Sequence, residues 1–279
     1  MIRGYYIGAS GMASQLNKMD AIANNLANVD LTGYKRDTAV FKAFPELLIR
    51  RMGDKYYKFP MGSVDNTPVV GKLGTGVETN EVYTVFEQGP LKETQDPFNF
   101  ALDGQGFFTV MTPYGERYTR NGSFILGPEG MLVTKEGYPV MGENGFIKIK
   151  ANNFMVDEDG RIFVNTKFSD PNRLVSMEEN EWDQTELLDR LKIVKVKRPR
   201  YLAKQGDSLW KTTTESGDAQ LMEEGRPKIR QGFLEASNVN PVTEMVQMIE
   251  VNRAYEANQK TIETQDSLLG RLINEALRV

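Results

Sequence analysis

Residues 5–26 read YYIGASGMASQLNKMDAIANNL, and this stretch near the start of the chain decides the fold. Apolar or small side chains recur in it at alternating intervals of four and three residues, which is the spacing of a helix face that packs in a coiled coil. The stretch has no proline, and Gly33 follows it as a helix stop. It therefore predicts an amphipathic helix. The seam positions are Tyr5, Ala9, Met12, Leu16, Met19, Ala23 and Leu26.

The C-terminal end of the chain repeats this pattern over a longer stretch. Ser237 and Asn238 are candidate helix caps, and Pro241 suits the first turn of the helix that follows. Asn258 and Gln265 are polar members of the seam, and such residues set the register of a helix pair at a cost in stability. The pattern leaves two packing partners open, the rest of the chain or another subunit. The seam positions are Met248, Val251, Tyr255, Asn258, Ile262, Gln265, Leu269, Leu272 and Ala276.

Between the two ends, the period of the pattern changes to two and turn signals become dense. Asp103-Gly104, Asn121-Gly122 and Asp159-Gly160 are examples of the pairs that separate short alternating runs. This spacing predicts a compact, mainly antiparallel β domain, so the chain as a whole is predicted to be α+β. The predicted strands are Val77–Phe86, Phe107–Met111, Arg117–Leu126, Leu132–Val140, Phe146–Ile149, Arg161–Val164 and Lys192–Val196.

These changes of pattern divide the chain into three parts. Residues 1–33 and 237–279 together are predicted to form a discontinuous domain of terminal helices. Residues 34–75 fit neither pattern and are interpreted as an extended connector. Residues 76–236 are predicted to form the central β domain, in which residues 169–190 are a polar, acidic insertion with one short helix.

The composition excludes several classes of protein. The 279 residues are 40% hydrophobic and 26% charged, which are the values of a globular protein, and the net charge of −4 argues against a protein that coats nucleic acid. The chain has no histidine and no cysteine, which excludes Ser-His-Asp and Cys-His catalysis, disulfides and the usual zinc sites. No apolar run is long enough for a membrane span or a secretory signal, so we expect neither.

Three short motifs partly match known binding or catalytic patterns. Asp157–Gly160 resembles the start of a calcium loop, but Phe168 stands where the closing glutamate belongs, so a β-turn is favoured. Gly104–Gly106 lacks the third glycine of a dinucleotide loop, and Ser208–Lys211 lacks the companion motifs of the serine acyltransferases. We therefore expect no catalytic residue, no metal, no cofactor and no small-molecule substrate.

Two further classes of function stay open at this point. Asp103, Glu116 or Asp159 would supply the carboxylates of a cell-wall glycan hydrolase, although no spacing marks a pair. The basic segment Lys192–Lys204 would supply an anion-binding surface, although a solvated strand face explains it as well.

The motifs at both ends and in the β region closely resemble those of bacterial flagellar rod and hook proteins. They follow one another in the order expected of that family and reach both termini. The resemblance is weakest at residues 169–190. The matching segments are Gly8–Met12, Asp20–Asn28, Thr32–Lys35, Leu102–Phe108, Tyr118–Phe124, Gly137–Pro139, Gly232–Asn240 and Arg253–Asn258.

This resemblance implies a structural role. Proteins of this family pair their terminal helices into a coiled-coil inner layer and stack helically into the drive shaft that carries torque from rotor to hook. The expected partners are other copies of the chain, other rod and hook proteins and, during secretion, the flagellar export apparatus. The expected location is the periplasmic rod of the basal body, reached without a cleaved signal peptide. The predicted packing interface includes Asn24, Asn25 and Asn28 besides the two seams.

The family has a proximal-rod type and a distal-rod type. Phe41–Ile49 is more similar to the proximal type, whereas Glu235–Asn240 fits the distal type equally well. We favour the proximal rod, with the distal rod as the alternative.

Overall fold

The structure is a computed structural model, and it describes residues 2–52, 56–59, 62–65, 67–149, 154–165, 185–223 and 225–276. Within these residues the protein is α+β, as predicted, with one long helix at each end and short antiparallel strands between them. The helices are α1 (Ile2–Ala27) and α2 (Pro241–Ala276).

Twenty-one strands lie between the helices in the described ranges. They are β1 (Asp37–Ala43), β2 (Leu47–Arg50), β3 (Tyr56–Phe59), β4 (Gly62–Asp65), β5 (Val69–Leu73), β6 (Val77–Thr84), β7 (Leu91–Glu93), β8 (Phe100–Asp103), β9 (Phe107–Thr112), β10 (Gly115–Thr119), β11 (Phe124–Leu126), β12 (Leu132–Thr134), β13 (Phe154–Val156), β14 (Arg161–Asn165), β15 (Thr185–Arg190), β16 (Ile193–Val196), β17 (Ala203–Lys204), β18 (Leu209–Lys211), β19 (Ala219–Leu221), β20 (Lys228–Gln231) and β21 (Phe233–Glu235).

The chain forms two compact units, and each is assembled from separate parts of the sequence. The helical unit contains residues 1–26, 37–83 and 241–279. The β unit contains residues 27–36 and 84–240. Each unit therefore takes segments from both halves of the chain.

The helix boundaries follow local chemistry. Helix α2 begins at Pro241, as the sequence predicts, because a proline at the first position fixes a helical φ and has no N–H to leave unpaired. Helix α1 ends at Ala27, before the predicted stop. Gly33 lies beyond it in a turn with a φ of 69°, a conformation that glycine adopts without strain.

Strands β1 to β5 lie within the predicted extended connector, residues 34–75, and together with β6 they form a long hairpin in the helical unit. Strand β1 pairs with β6, β2 pairs antiparallel with β5, and β3 pairs antiparallel with β4 at the tip. The amide of Phe44 donates to the carbonyl of Gly76 over 3.0 Å, which continues the pairing between these sheets. The period-two pattern did not predict this hairpin, because its strands do not alternate between apolar and polar residues.

The β unit is organised around a six-stranded antiparallel sheet in the order β17-β18-β10-β9-β16-β19. One face of β9 lies on the main core, to which Phe108 and Val110 contribute. The other face lies on a smaller aromatic cluster that contains Phe107, Tyr118 and Trp210. The sheet is thus covered on both sides by apolar side chains.

Two predicted strands are interrupted. The predicted strand Arg117–Leu126 is split into β10 and β11, because the chain bends at Arg120 and then passes so close to β8 that a Cβ added at Gly122 would collide with the carbonyl of Phe100. The predicted strand Leu132–Val140 ends as β12 at Thr134, since Gly137 takes a φ of 90° in a turn. Both glycines follow a polar residue, a pair that is typical of an interruption between strands.

The predicted insertion with a short helix, residues 169–190, lies largely outside the described residues. Its described end, Thr185–Arg190, is strand β15, which pairs antiparallel with β14. The prediction of a helix in the remainder falls on residues outside the described ranges.

Candidate assembly interface

Helices α1 and α2 meet in the helical unit through three glycines. A Cβ added at Gly8 would lie 2.8 Å from Cγ1 of Ile262, and one added at Gly11 would lie 2.9 Å from the amide nitrogen of Asn258. A Cβ at Gly4 would collide with the Gln265 side chain. The contacts run in opposite directions along the two helices, which are therefore antiparallel. The glycines allow the backbones to approach closely.

The predicted seam of α2 lies on the less exposed side of that helix. Val251 is buried, whereas Leu272 is exposed and the side chain of Ala276 lies outside the described residues. The partly buried seam members are Met248, Tyr255, Asn258, Ile262, Gln265 and Leu269.

The predicted seam of α1 is only partly covered within the chain. Ala9, Leu16 and Ala23 are exposed, and the partly buried members are Tyr5, Met12, Met19 and Leu26. The buried residues of α1 lie one position away from the predicted seam or farther, and they are Gly8, Ser14, Ile22 and Asn25. A pattern of hydrophobic residues does not reveal this face, because glycine and serine carry no apolar signal.

Polar side chains of α1 bind strand β6. Ser14 Oγ donates to the carbonyl of Val77 over 3.3 Å, and the amide of Val77 donates to Ser10 Oγ over the same distance. The amide of the Asn17 side chain donates to Thr79 Oγ1 over 2.9 Å. These bonds set the position of β6 along α1.

Asn25 joins three elements of the helical unit. Its side-chain oxygen accepts from the amide of Asp37 over 2.8 Å, and its side-chain nitrogen donates to the Asp37 carbonyl over 2.9 Å and to Glu244 Oε2 over 3.2 Å. Asn25 and Glu244 are both buried, while Asn24 is exposed and Asn28 is partly buried. Asn25 therefore connects the end of α1, the start of β1 and the first turn of α2.

The β unit contains a buried ion cluster that links its distant segments. Lys35 Nζ lies 2.5 Å from Glu235 Oε1, and Arg120 Nη1 lies 3.3 Å from Glu235 Oε2. The side chains of Lys35 and Glu235 are 1% exposed, and that of Arg120 is 5% exposed. Lys35 also donates to the carbonyl of Glu87 over 2.7 Å, and Arg120 to the carbonyl of Gly104 over 2.8 Å. The cluster joins two cations to one carboxylate.

Burial lowers the pKa values of the two cations in this cluster. Loss of solvent lowers the pKa of Lys35, and the adjacent Arg120 lowers it further, whereas Glu235 and Glu87 act in the opposite direction. Burial likewise lowers the pKa of Arg120, against the effect of Glu235. Lys35, Arg120 and Glu235 each lie in one of the motifs that resemble the flagellar family, but no local pattern in the sequence places them together.

Apolar side chains are exposed on the side of α2 that faces away from α1. Met245, Val246 and Ile249 are 46%, 51% and 55% exposed and, at about 100° per residue, they lie opposite Val251 and Ile262. We name these three residues the outer stripe.

The candidate chemistries are accounted for by surface ion pairs and turns. The nearest cation to each proposed catalytic carboxylate lies within salt-bridge distance: Arg230 for Asp103, Lys192 for Glu116 and Arg161 for Asp159. The supposed calcium loop is a turn, in which the amide of Gly160 donates to the carbonyl of Asp157 over 2.8 Å. In the basic segment, Ile193 to Val196 form the buried strand β16, from which Lys195 points outward.

Neither helix in the described part of the chain combines the length and hydropathy needed to cross a bilayer. Across the same residues, no group of three or more acidic side chains is arranged to hold a metal ion.

Three family profiles match the chain. One described as "Flagella basal body rod protein" matches residues 6–35, and one described as "Flagellar hook protein FlgE/F/G D1 domain" matches residues 101–164. A third, described as "Flagellar basal body rod FlgEFG protein C-terminal", matches residues 230–275. The matches include α1, the core of the β unit and α2.

Relatives align over nearly the whole length. The chain is 34% identical to the flagellar basal-body rod protein FlgG of Borreliella burgdorferi, with 97% of each chain covered. It is 35% identical to FlgG of Buchnera aphidicola subsp. Schizaphis graminum, with 98% of this chain and 99% of the relative covered. It is 32% identical to the flagellar basal-body rod protein FlgF of Caulobacter vibrioides, with 96% and 95% covered.

Proposed function

The chain belongs to the family of flagellar basal-body rod proteins, and we propose that its subunits polymerise helically into the drive shaft that transmits torque from rotor to hook. It is a structural subunit of the flagellar basal body and not an enzyme. The observation that carries the proposal is the similarity over nearly the full length, which includes both terminal helices.

We propose that α1 and α2 form a coiled-coil inner layer of the rod. The antiparallel contacts at Gly8 and Gly11 support close packing of the two helices in one subunit. The exposed positions of the predicted α1 seam, Ala9, Leu16 and Ala23, are available to neighbouring subunits. A seam shared in this way would bind helices of the same chain and of adjacent chains at once.

The outer stripe of α2 supports a contact between copies. Its three apolar side chains lie together on a helix whose opposite face is already packed, and contiguous exposed apolar patches mark interaction sites. In the hairpin of the helical unit, Leu48, Val69 and Val70 are also more than half exposed. A two-stranded hairpin has little stability of its own in water, so a neighbour that covers it would stabilise it.

The proposed location is the periplasmic rod. In this proposal the chain is passed through the flagellar export apparatus without a cleaved signal peptide, and it contacts other rod and hook proteins as well as its own copies. The proximal segment remains the favoured position, with the distal segment as the alternative. Immunogold labelling of purified basal bodies tests the position, since it separates label near the rotor from label near the hook.

Substitution of the outer stripe tests the proposed contact between copies. We expect Val246→Asp to raise the protein concentration needed for polymerisation at least about tenfold, because a charge without a partner would be buried in the contact. Sedimentation velocity of the purified chain and swimming of the complemented strain measure the effect.

Thr261→Asp is the matched control, since it adds the same charge at an exposed position of α2 outside the stripe. Equal assembly of the Val246→Asp variant and wild type, with both variants folded by circular dichroism, would refute the contact.

A further inference from the structure

We propose that Glu235 controls the closure of the β unit, so that the unit completes its fold only when residues 228–238 are available. We call residues 228–238 the C-terminal strap. The strap contains β20 and β21, and it carries the one carboxylate that forms ion pairs with both buried cations, Lys35 and Arg120. The proposal concerns the order of folding and does not depend on the function of the folded subunit.

The charge balance of the cluster depends on the strap. Lys35 and Arg120 bind different oxygens of the same carboxylate, and among the described residues no other acidic side chain forms an ion pair with either. Without Glu235, the closed unit would hold two cations close together and away from water. Breaking a buried ion pair by removing one partner is strongly destabilising. The cluster therefore opposes closure until its carboxylate arrives.

The strap also completes the backbone pairing of two strands. In the sheets that the structure describes, β7 pairs with β21 alone and β8 pairs with β20 alone. Outside the strap, β8 has a backbone bond from the Phe100 amide to the carbonyl of Gly122 over 2.9 Å. Phe100 and Leu102 of β8 belong to the main core, as does Ile229 of the strap. Strands β7 and β8 therefore lack a ladder partner until the strap is present.

Four backbone amides from the earlier part of the unit donate to acceptors in the strap. Gly33 donates to the carbonyl of Glu235 over 2.8 Å, and Gly89 to the Glu235 side chain over 3.0 Å. Arg36 donates to the Asn238 side chain over 2.8 Å, and Thr94 to the carbonyl of Gly232 over 2.8 Å. These donors are the observable signature of closure.

The order of these residues along the chain delays closure of the β unit until the strap is present. Lys35 and Glu235 are 200 residues apart, so the N-terminal participants emerge during synthesis long before the strap. The cost of closing so large a loop must be met before the contacts stabilise it. The part of the unit that precedes the strap is thus held open by an unneutralised charge and by unpaired strands.

The first test compares full-length variants in urea. We expect Glu235→Gln to increase the unfolding equilibrium constant at least about a hundredfold, because it leaves two buried cations without a counterion. Lys35→Met should have a smaller effect, since Arg120 and Glu235 remain as a balanced pair. The double variant Lys35→Met/Glu235→Gln should be no less stable than Glu235→Gln alone.

Asp103→Asn is the control, because it removes an exposed ion pair between β8 and Arg230 of the strap and should change the constant less than about fivefold. An effect of Lys35→Met as large as that of Glu235→Gln would overturn the charge argument.

The second test uses the wild-type full chain and stays informative if Glu235→Gln does not fold. In refolding followed by pulsed hydrogen exchange and mass spectrometry, the amides of Gly33, Arg36, Gly89 and Thr94 should gain protection together with those of β20 and β21. The amide of Met111, which donates to the carbonyl of Pro139 outside the strap, should gain protection no later. Protection of the first four amides before the strap would overturn the proposal.

Discussion

Gly8 shows how much of the helix packing depends on a missing side chain. Its position on α1 lies directly against Ile262, where a Cβ would come within 2.8 Å of Cγ1 and 3.2 Å of Cδ1. Glycine lowers the intrinsic stability of a helix by about 1 kcal/mol relative to alanine, so its presence inside α1 has a local cost that close packing offsets.

Paired glycine substitutions test this packing. We expect Gly8→Ala to destabilise the helical unit by about 1 kcal/mol, because overpacking against Ile262 exceeds the gain in helix propensity. Gly270→Ala on α2 should stabilise by up to about 1 kcal/mol, since its Cβ would meet nothing within 4 Å. Urea unfolding, followed by the helix signal in circular dichroism, measures the stability of both variants. Stabilisation by Gly8→Ala would contradict the close approach.

The lowered pKa of Lys35 should make the free energy of unfolding depend on pH. Burial lowers its pKa in the folded state, so the folded chain binds fewer protons than the unfolded chain between that lowered pKa and the ordinary lysine value of about 10.4. Stability from this group therefore rises with pH in that window. Arg120, Glu235 and Glu87 face the ammonium group and influence the same pKa.

The comparison with Lys35→Met isolates this dependence. The stability of wild type relative to Lys35→Met should increase as the pH is raised from 7 towards about 10, as measured by denaturant midpoints. Tyr118, whose pKa is raised by burial, acts equally in both proteins and cancels in the difference. A constant difference across this range would show that the pKa of Lys35 is not lowered.

At the scale of elements, the hydrogen bonds of Asn25 hold three elements of the helical unit together. It bonds to both backbone groups of Asp37 and to Glu244, so a single side chain connects α1, β1 and α2. An apolar residue at this position would leave the two Asp37 backbone groups with the full cost of lost hydrogen bonds in a buried site.

We expect Asn25→Ala to destabilise the helical unit by about 2–3 kcal/mol. Asn252→Ala, at an exposed position of α2, should change stability by less than about 0.5 kcal/mol. Thermal unfolding followed by circular dichroism separates the two. If both variants unfold at the wild-type temperature, the bonds of Asn25 contribute nothing net.

At the scale of the whole molecule, the unit boundaries predict which truncations fold. A chain of residues 27–240 retains the complete β unit, including Lys35, Arg120 and the strap, and should unfold cooperatively. A chain of residues 37–240 lacks Lys35 and Gly33 and should be less stable by more than about 2 kcal/mol. Urea unfolding followed by tryptophan fluorescence compares them, and equal midpoints would mean that residues 27–36 are not part of the unit.

Local patterns in the sequence were enough to predict the terminal helices, many of the turns and the excluded classes of chemistry. The alternating three- and four-residue spacing predicted both terminal helices, and Pro241 marked the start of α2. Glycine-containing pairs such as Asp159-Gly160 marked turns of an antiparallel β region. The absence of histidine and cysteine excluded whole classes of chemistry. Each of these properties depends on neighbours along the chain, which is why a single sequence was enough to infer them.

Only the tertiary structure decided which surfaces meet. The face of α1 that is buried within the chain includes Gly8 and Ser14, whose side chains carry no apolar signal, so periodicity alone does not reveal it. The hairpin in the predicted connector and the cluster of Lys35, Arg120 and Glu235 depend on pairing between distant segments. Local periodicity carries no information about which residue, 200 positions away, will neutralise a buried charge. That partner is selected by the packing of the whole chain.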